Sequence, residues 1–148
     1  MNTKSSHFLS GARDWFWPLA LATTVFMVSG RSQVSAPNIV GIDKIAHFFV
    51  FGLLATLVAR VPVVATWRGL GLYWAVVLTA CYGISDEFHQ SFTPGRSVEL
   101  ADWLVDTAGA MLAVTLYARW RFYRGALELP LARSRIETPT PAERIFSP

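Results

Sequence analysis

Long blocks of apolar residues constrain this chain more than any other feature of its sequence. Four blocks, at about 15–29, 44–61, 68–88 and 102–119, each come close to the roughly 20 residues with which a helix crosses a bilayer. A helix satisfies its own backbone hydrogen bonds in lipid, and the blocks lack the apolar–polar alternation of barrel strands. We therefore predict an all-α fold, an integral membrane bundle of about four transmembrane helices.

The composition also favours a membrane protein. Hydrophobic residues make up 53% of the 148 residues and charged residues 16%, and the mean hydropathy is +0.37. Soluble domains carry roughly 25% charged residues, so this chain has too little polar surface for a soluble protein of its size. The single cysteine, Cys81, excludes an intramolecular disulfide and a cysteine-rich zinc site.

The chain divides into a predicted membrane domain, residues 1–124, and a polar tail, residues 125–148. The tail is rich in proline and poor in apolar residues, which predicts disorder. The first apolar block has an alternative interpretation as a signal peptide, because Val34-Ser35-Ala36 resembles a small-residue cleavage site.

Basic residues predict the orientation. Seven lie near the helix ends on the side of both termini, namely Lys4, Arg13, Arg60, Arg68, Arg119, Arg121 and Arg124. Three lie on the opposite side, namely Arg31, Lys44 and Arg96. Cytoplasmic segments are the richer in Lys and Arg, so we predict a multi-pass protein of the plasma (inner) membrane with both termini cytoplasmic. The basic and aromatic segment 119–124 favours contact with anionic lipid over nucleic acid.

This orientation brings most of the ionisable and amide side chains of the membrane domain to the outer side. They are Asp43, Lys44, His47, Asp86, Glu87, His89, Gln90, Arg96, Glu99, Asp102 and Asp106. Ionisable groups inside a membrane are costly unless they are paired or hydrated. His47 and Asp106 lie about one turn deeper than Asp43 and Asp102, so we expect both to face the bundle interior. Gly109 and Ala113, four residues apart, predict close helix packing.

Two interpretations of these polar residues remain open. In the structural one, Asp43, Glu87 and Asp102 hold helices together, and Arg96 pairs with Glu87 or Asp102. In the functional one, they line a pocket open to the outer leaflet, in which a histidine and carboxylates transfer protons. For the functional interpretation we predict Glu87, His47 and Asp102 as the catalytic residues.

The functional interpretation assigns ligand binding to five further side chains, Asp43, Lys44, Gln90, Arg96 and Asp106. The planar guanidinium of Arg96 suits a phosphate or a carboxylate on the ligand. Some of these residues could ligate a metal, but no compact ligand motif such as HExxH is present. We therefore predict no metal and no cofactor.

These motifs resemble those of the VanZ-like family of small polytopic membrane proteins. The segment Asp43-Lys44-Ile45-Ala46-His47-Phe48 is similar to the family's D-K-x-x-H-F opening. Residues 86–90, 94–96 and 102–109 are similar in order and spacing to its E-x-x-Q, P-x-R and D-x-x-x-[ND]-x-x-G stretch. The resemblance covers about half of the chain. Many members have Asn where this chain has Asp106, which adds a carboxyl group to the site.

The resemblance implies a protein of the bacterial cell envelope linked to glycopeptide resistance of the teicoplanin type. Our leading hypothesis is that the protein binds an amphiphilic lipid or a lipid-linked cell-wall precursor, and as an extension modifies it. The first alternative is a non-catalytic membrane scaffold. The second is a small transporter, which the position of the polar cluster near one face disfavours, because transport sites usually lie near the midplane. The sequence leaves the ligand, the reaction and the oligomeric state open.

Overall fold

The regular structure of the described chain is entirely helical. The computed structural model describes residues 3–30, 42–94, 99–120 and 122–126, with side chains from Arg13 onward. Its helices are α1 (Thr3–Ser29), α2 (Ile42–Ala59), α3 (Pro62–Ala65), α4 (Trp74–Gln90) and α5 (Leu100–Arg119), with a 3-10 turn at Gly71–Tyr73. The prediction of an all-α fold is confirmed for these residues. The proposed cleavage site, Arg96 and the tail beyond residue 126 lie outside them.

Two of the four predicted transmembrane segments have the length and apolar character that a bilayer crossing needs. They are α2, with 18 residues, and α5, with 20 residues. Helix α4 has 17 residues, and α1 begins with polar turns that include Arg13 and Asp14. The bundle of about four transmembrane helices therefore stays a prediction, of which α2 and α5 are the supported part.

The turn before α4 shows why the predicted third segment begins later than residue 68. Gly69 and Gly71 have φ angles of +96° and +54°, in the left-handed region that favours glycine. A continuous helix cannot pass through such residues, so α4 begins only at Trp74. The end of α2 has a related cause, because Pro62 lacks a backbone N–H and instead occupies the first turn of α3.

Glycines bring the backbones of α2 and α5 into direct contact. A methyl group added at Gly109 would lie 2.2 Å from the carbonyl oxygen of Phe48. One added at Gly52 would lie 3.1 Å from the carbonyl oxygen of Gly109 and 3.4 Å from Cβ of Ala113. Small residues permit this approach between membrane helices. The predicted packing role of Gly109 and Ala113 is confirmed.

Helix α1 is attached to α4 by specific contacts along its second half. The hydroxyl of Tyr82 donates a hydrogen bond to the carbonyl oxygen of Ala22 at 2.6 Å. Closer to the helix ends, the rings of Phe26 and His89 stack with centroids 3.8 Å apart. These contacts align the end of α1 with the end of α4.

The interior of the bundle is apolar in one half and polar in the other. The apolar half is built from the end of α2, α3, the start of α4 and the end of α5, and includes Leu54, Val58, Val64, Val76, Val114 and Tyr117. The outward faces expose large apolar side chains, among them Phe49, Ile84, Phe88 and Leu104. Soluble proteins rarely expose so much apolar surface, whereas lipid covers it at no cost. The remaining half of the interior contains the buried side chains of Ser29, Asp86, Glu87, Gln90 and Asp106.

Candidate functional site

The polar side chains meet at one end of the bundle, where α1 and α4 end and α2 and α5 begin. We call this region, which contains Ser29 and the polar side chains within residues 43–47, 86–90 and 99–106, the polar end. The hydroxyl of Ser29 connects α1 to Asp86 on α4, and His47 on α2 contacts Asp106 on α5. Helices that are far apart in sequence therefore contribute to one site.

Asp86 is the most enclosed carboxylate of α4, with 1% of its surface exposed. Its Oδ1 accepts a hydrogen bond from Ser29 Oγ at 2.6 Å, and its Oδ2 accepts one from Gln90 Nε2 at 2.8 Å. A buried carboxylate is costly unless such donors satisfy it. From the sequence, Asp86 was expected in the polar cluster but not among the site residues. Ser29 was not predicted, because it lies in an apolar block with no motif.

His47 pairs with Asp106 rather than with Asp102. The distance from His47 Nδ1 to Asp106 Oδ1 is 3.2 Å, and Asp106 is 1% exposed. The expectation that both residues face the interior is confirmed. A carboxylate partner at Nδ1 orients the ring and favours the tautomer with the proton on that nitrogen, which leaves Nε2 for a ligand. The imidazole also lies parallel to the ring of Phe51, with centroids 5.8 Å apart.

Lys44 joins the start of α2 to the start of α5. Its Nζ forms ion pairs with the carboxylates of Asp102 and Glu99, the latter at 3.0 Å. The side chain of Asp102 is 18% exposed, so Lys44 offsets a carboxylate charge that is largely withdrawn from solvent. Asp102, which the sequence grouped with His47, therefore has a lysine as its partner.

Glu87 faces a different part of the polar end. Its Oε2 accepts a hydrogen bond from the backbone N–H of Glu99 at 3.1 Å, which fixes the chain just before α5. Glu87 and Glu99 line a cavity of about 390 Å³ between α4 and α5, whose other walls are Ile84, Phe88, Leu100 and Trp103. The predicted pairing of Arg96 with Glu87 or Asp102 falls outside the described residues.

A second cavity, of about 340 Å³, lies between α1 and α2, and we call it the α1–α2 cavity. Its walls are mostly apolar and include Leu21, Val25, Val28, Ala46, Val50 and Phe51. Four polar side chains, those of Thr24, Ser29, Asp43 and His47, also line it, and the last three belong to the polar end. Ser29 contacts Asp86, and His47 contacts Asp106. Each of these two buried carboxylates is therefore separated from the cavity by one side chain.

The α1–α2 cavity combines a mostly apolar wall with an imidazole, a group whose chemistry is the uptake and release of protons. Pockets that bind small molecules combine apolar walls with a few placed polar groups, as the α1–α2 cavity does. Within the described ranges, no group of three or more His, Cys, Asp or Glu side chains could hold a metal ion.

Comparison with known proteins identifies the family. The profile of the VanZ/LLP1 family matches residues 3–122, a range that includes all five helices and the whole polar end. Neither a curated protein nor a solved structure matches the chain. The family match and the two apolar helices α2 and α5 together indicate a membrane protein. The chain belongs to the VanZ/LLP1 family.

Proposed function

We propose that this protein binds an amphiphilic envelope lipid, or a lipid-linked cell-wall precursor, in the α1–α2 cavity. The observation that carries the proposal is a cavity wall that is mostly apolar and also contains the polar side chains of Thr24, Ser29, Asp43 and His47. A hydrocarbon chain gains free energy by leaving water for the apolar part, while the head group hydrogen-bonds to the polar side chains.

Modification of the bound molecule is an extension of this proposal. His47 Nε2 is the group that would take up or release a proton, and Asp106 would hold the imidazole in the required tautomer and orientation. Asp106, which the sequence assigned to ligand binding, would then act as a positioning residue for His47. Glu87 and Asp102 support the start of α5 through Glu99 and Lys44.

We further propose that the polar end lies at the outer leaflet of the plasma membrane, with both termini cytoplasmic. The charge distribution supports this orientation. Arg13, Arg60, Arg68, Arg119 and Arg124 lie in the half of the bundle away from the polar end, where α1 and α4 begin and α2 and α5 end. Arginine and lysine are enriched on the cytoplasmic side of membrane proteins.

Native mass spectrometry of the purified protein tests lipid binding in the cavity. Val50→Trp places an indole in the cavity, whereas the matched control Val77→Trp changes an exposed residue of α4 that does not line it. We expect the wild-type protein and Val77→Trp to retain a bound lipid and Val50→Trp to lose it, with similar thermal unfolding of all three. Equal lipid retention by the three proteins would contradict the proposal.

Family membership also leads us to propose that lipid binding is linked to glycopeptide resistance of the teicoplanin type. The experiment compares teicoplanin susceptibility and the profile of outer-leaflet lipids and wall precursors in three strains: a deletion strain, and the same strain expressing the wild-type protein or Val50→Trp at matched abundance. Resistance that returns with the wild-type protein but not with Val50→Trp supports the link. Full complementation by Val50→Trp favours a non-catalytic scaffold, and ligand-dependent uptake into liposomes favours a transporter.

A further inference from the structure

The described part of the polar end is strongly acidic. It contains six carboxylates, from Asp43, Asp86, Glu87, Glu99, Asp102 and Asp106. The basic side chains described there are those of Lys44, His47 and His89, so carboxylates outnumber them even with both histidines protonated. Lys44 is engaged by two of the carboxylates, and His89 stacks on Phe26. Neither of these two basic side chains lines the α1–α2 cavity.

The polar groups on the wall of the α1–α2 cavity are mainly hydrogen-bond acceptors. Ser29 donates its hydroxyl proton to Asp86, so its oxygen has only lone pairs left for a ligand. Asp43, when ionised, accepts hydrogen bonds only, and it forms no ion pair with any side chain that the structure describes. In the neutral tautomer with the proton on Nδ1, which the carboxylate of Asp106 at 3.2 Å favours, His47 presents an acceptor at Nε2.

We propose that the α1–α2 cavity selects a lipid whose head group carries a primary ammonium, as an ethanolamine phospholipid does. This inference rests on the proposed function and names the chemistry of the ligand's head. An ammonium group has one positive charge and three N–H donors, which match the charge of Asp43 and the acceptors of Ser29 and His47. Charge complementarity thus specifies the head group, and the apolar wall accepts the chain.

Two other head groups are poorer matches for the same reason. A phosphatidylglycerol head has the same phosphate but replaces the ammonium with hydroxyl groups, so it brings no positive charge to Asp43. A choline head has the charge but no N–H, so it leaves the acceptors of Ser29 and His47 without a donor. Lipids with identical chains and these three heads therefore separate charge from hydrogen bonding.

A competition experiment tests the inference. The purified protein in detergent is equilibrated with equal amounts of phosphatidylethanolamine, phosphatidylglycerol and phosphatidylcholine of identical chains, and the bound lipid is measured by native mass spectrometry. We expect phosphatidylethanolamine to be preferred by about tenfold, because a hydrogen bond to a charged group contributes at least the free energy that a tenfold change in affinity requires. Among the lipid molecules that Asp43→Asn still binds, this preference should be absent. The matched control Asp14→Asn, on the first half of α1, should keep it.

The possible results distinguish this inference from the proposed function. If the wild-type protein retains none of the three lipids, the proposed function itself fails. The ammonium inference is overturned, and lipid binding stands, if the wild-type protein binds the three lipids without a preference, prefers phosphatidylglycerol or binds phosphatidylcholine as well as phosphatidylethanolamine. The same conclusion follows if the Asp43→Asn variant keeps the preference for phosphatidylethanolamine. Displacement of lipid by soluble phosphoethanolamine at equal concentration would identify a free amine as the ligand and overturn the choice of a lipid head group.

Discussion

The contact between α2 and α5 makes Gly109→Ala the most informative single substitution for the fold. A methyl group at residue 109 would lie 2.2 Å from the carbonyl oxygen of Phe48 and 2.9 Å from its carbonyl carbon. Both atoms belong to the backbone of α2, so no rotamer change relieves the clash. Ordinary carbon contacts begin near roughly 3.5 Å, and the two helices would have to separate locally by roughly 1 Å.

The size of the effect follows from this displacement. Overpacking of a well-packed interior costs about 1–3 kcal/mol, and occasionally more when the backbone has to move. We expect Gly109→Ala to lower the free energy of unfolding by about 3 kcal/mol. The same separation would stretch the contact between His47 and Asp106, now 3.2 Å, beyond hydrogen-bond distance, because these residues lie next to the clash.

Unfolding of the purified protein in mixed micelles measures this loss. Gly125→Ala is the matched control, since a methyl group there meets nothing within 4 Å. We expect the control to change the free energy of unfolding by no more than about 0.5 kcal/mol. If Gly109→Ala unfolds within that margin of Gly125→Ala, the close contact between the two helix backbones is refuted.

Two further pairs of substitutions test individual hydrogen bonds by thermal unfolding. Thr79 Oγ1 is buried and has no partner within the described ranges, so Thr79→Val should leave stability unchanged or raise it. Thr56→Val removes a 2.9 Å hydrogen bond to the backbone of α2 and should lower the free energy of unfolding by about 1 kcal/mol. Equal losses of stability in Thr79→Val and Thr56→Val would contradict this expectation. Ser29→Ala deprives buried Asp86 of a donor and should cost about 1.5–3 kcal/mol, as bonds to charged groups do. The control Ser85→Ala, at an exposed residue, should lower stability by less than about 0.5 kcal/mol. A loss as large as that of Ser29→Ala would refute a stabilising hydrogen bond between Ser29 and Asp86.

Helical periodicity explains which features of the site were predictable. Apolar blocks predicted helices, and the depth of His47 and Asp106 within α2 and α5 followed from the rise per residue. Their contact with each other was not predictable, because it depends on how the two helices are rotated about their axes. The sequence named Asp102 beside His47 and Glu87 as catalytic, but it gave no sign that Asp102 pairs with Lys44.

Ser29 and Asp86 illustrate a second limit. Their hydrogen bond joins residues 57 positions apart and exists only because α1 packs against α4. A serine at the end of an apolar helix carries no sequence signal of such a partner. The late start of α4 was not predictable either, because glycine also occurs within helices. Only the positive φ angles of Gly69 and Gly71 show that no continuous helix passes through these residues.

The central claim is that a lipid chain lies between α1 and α2. Photo-crosslinking in the native membrane tests it most directly, with a phospholipid that carries a diazirine in its acyl chain and with peptide mapping of the labelled sites. We expect labelling of the cavity wall at Leu21, Val25 and Val50, and loss of label at Leu21 and Val25 in Val50→Trp. Labelling confined to outward-facing residues such as Phe88 and Leu104, with the cavity wall unlabelled, would contradict it.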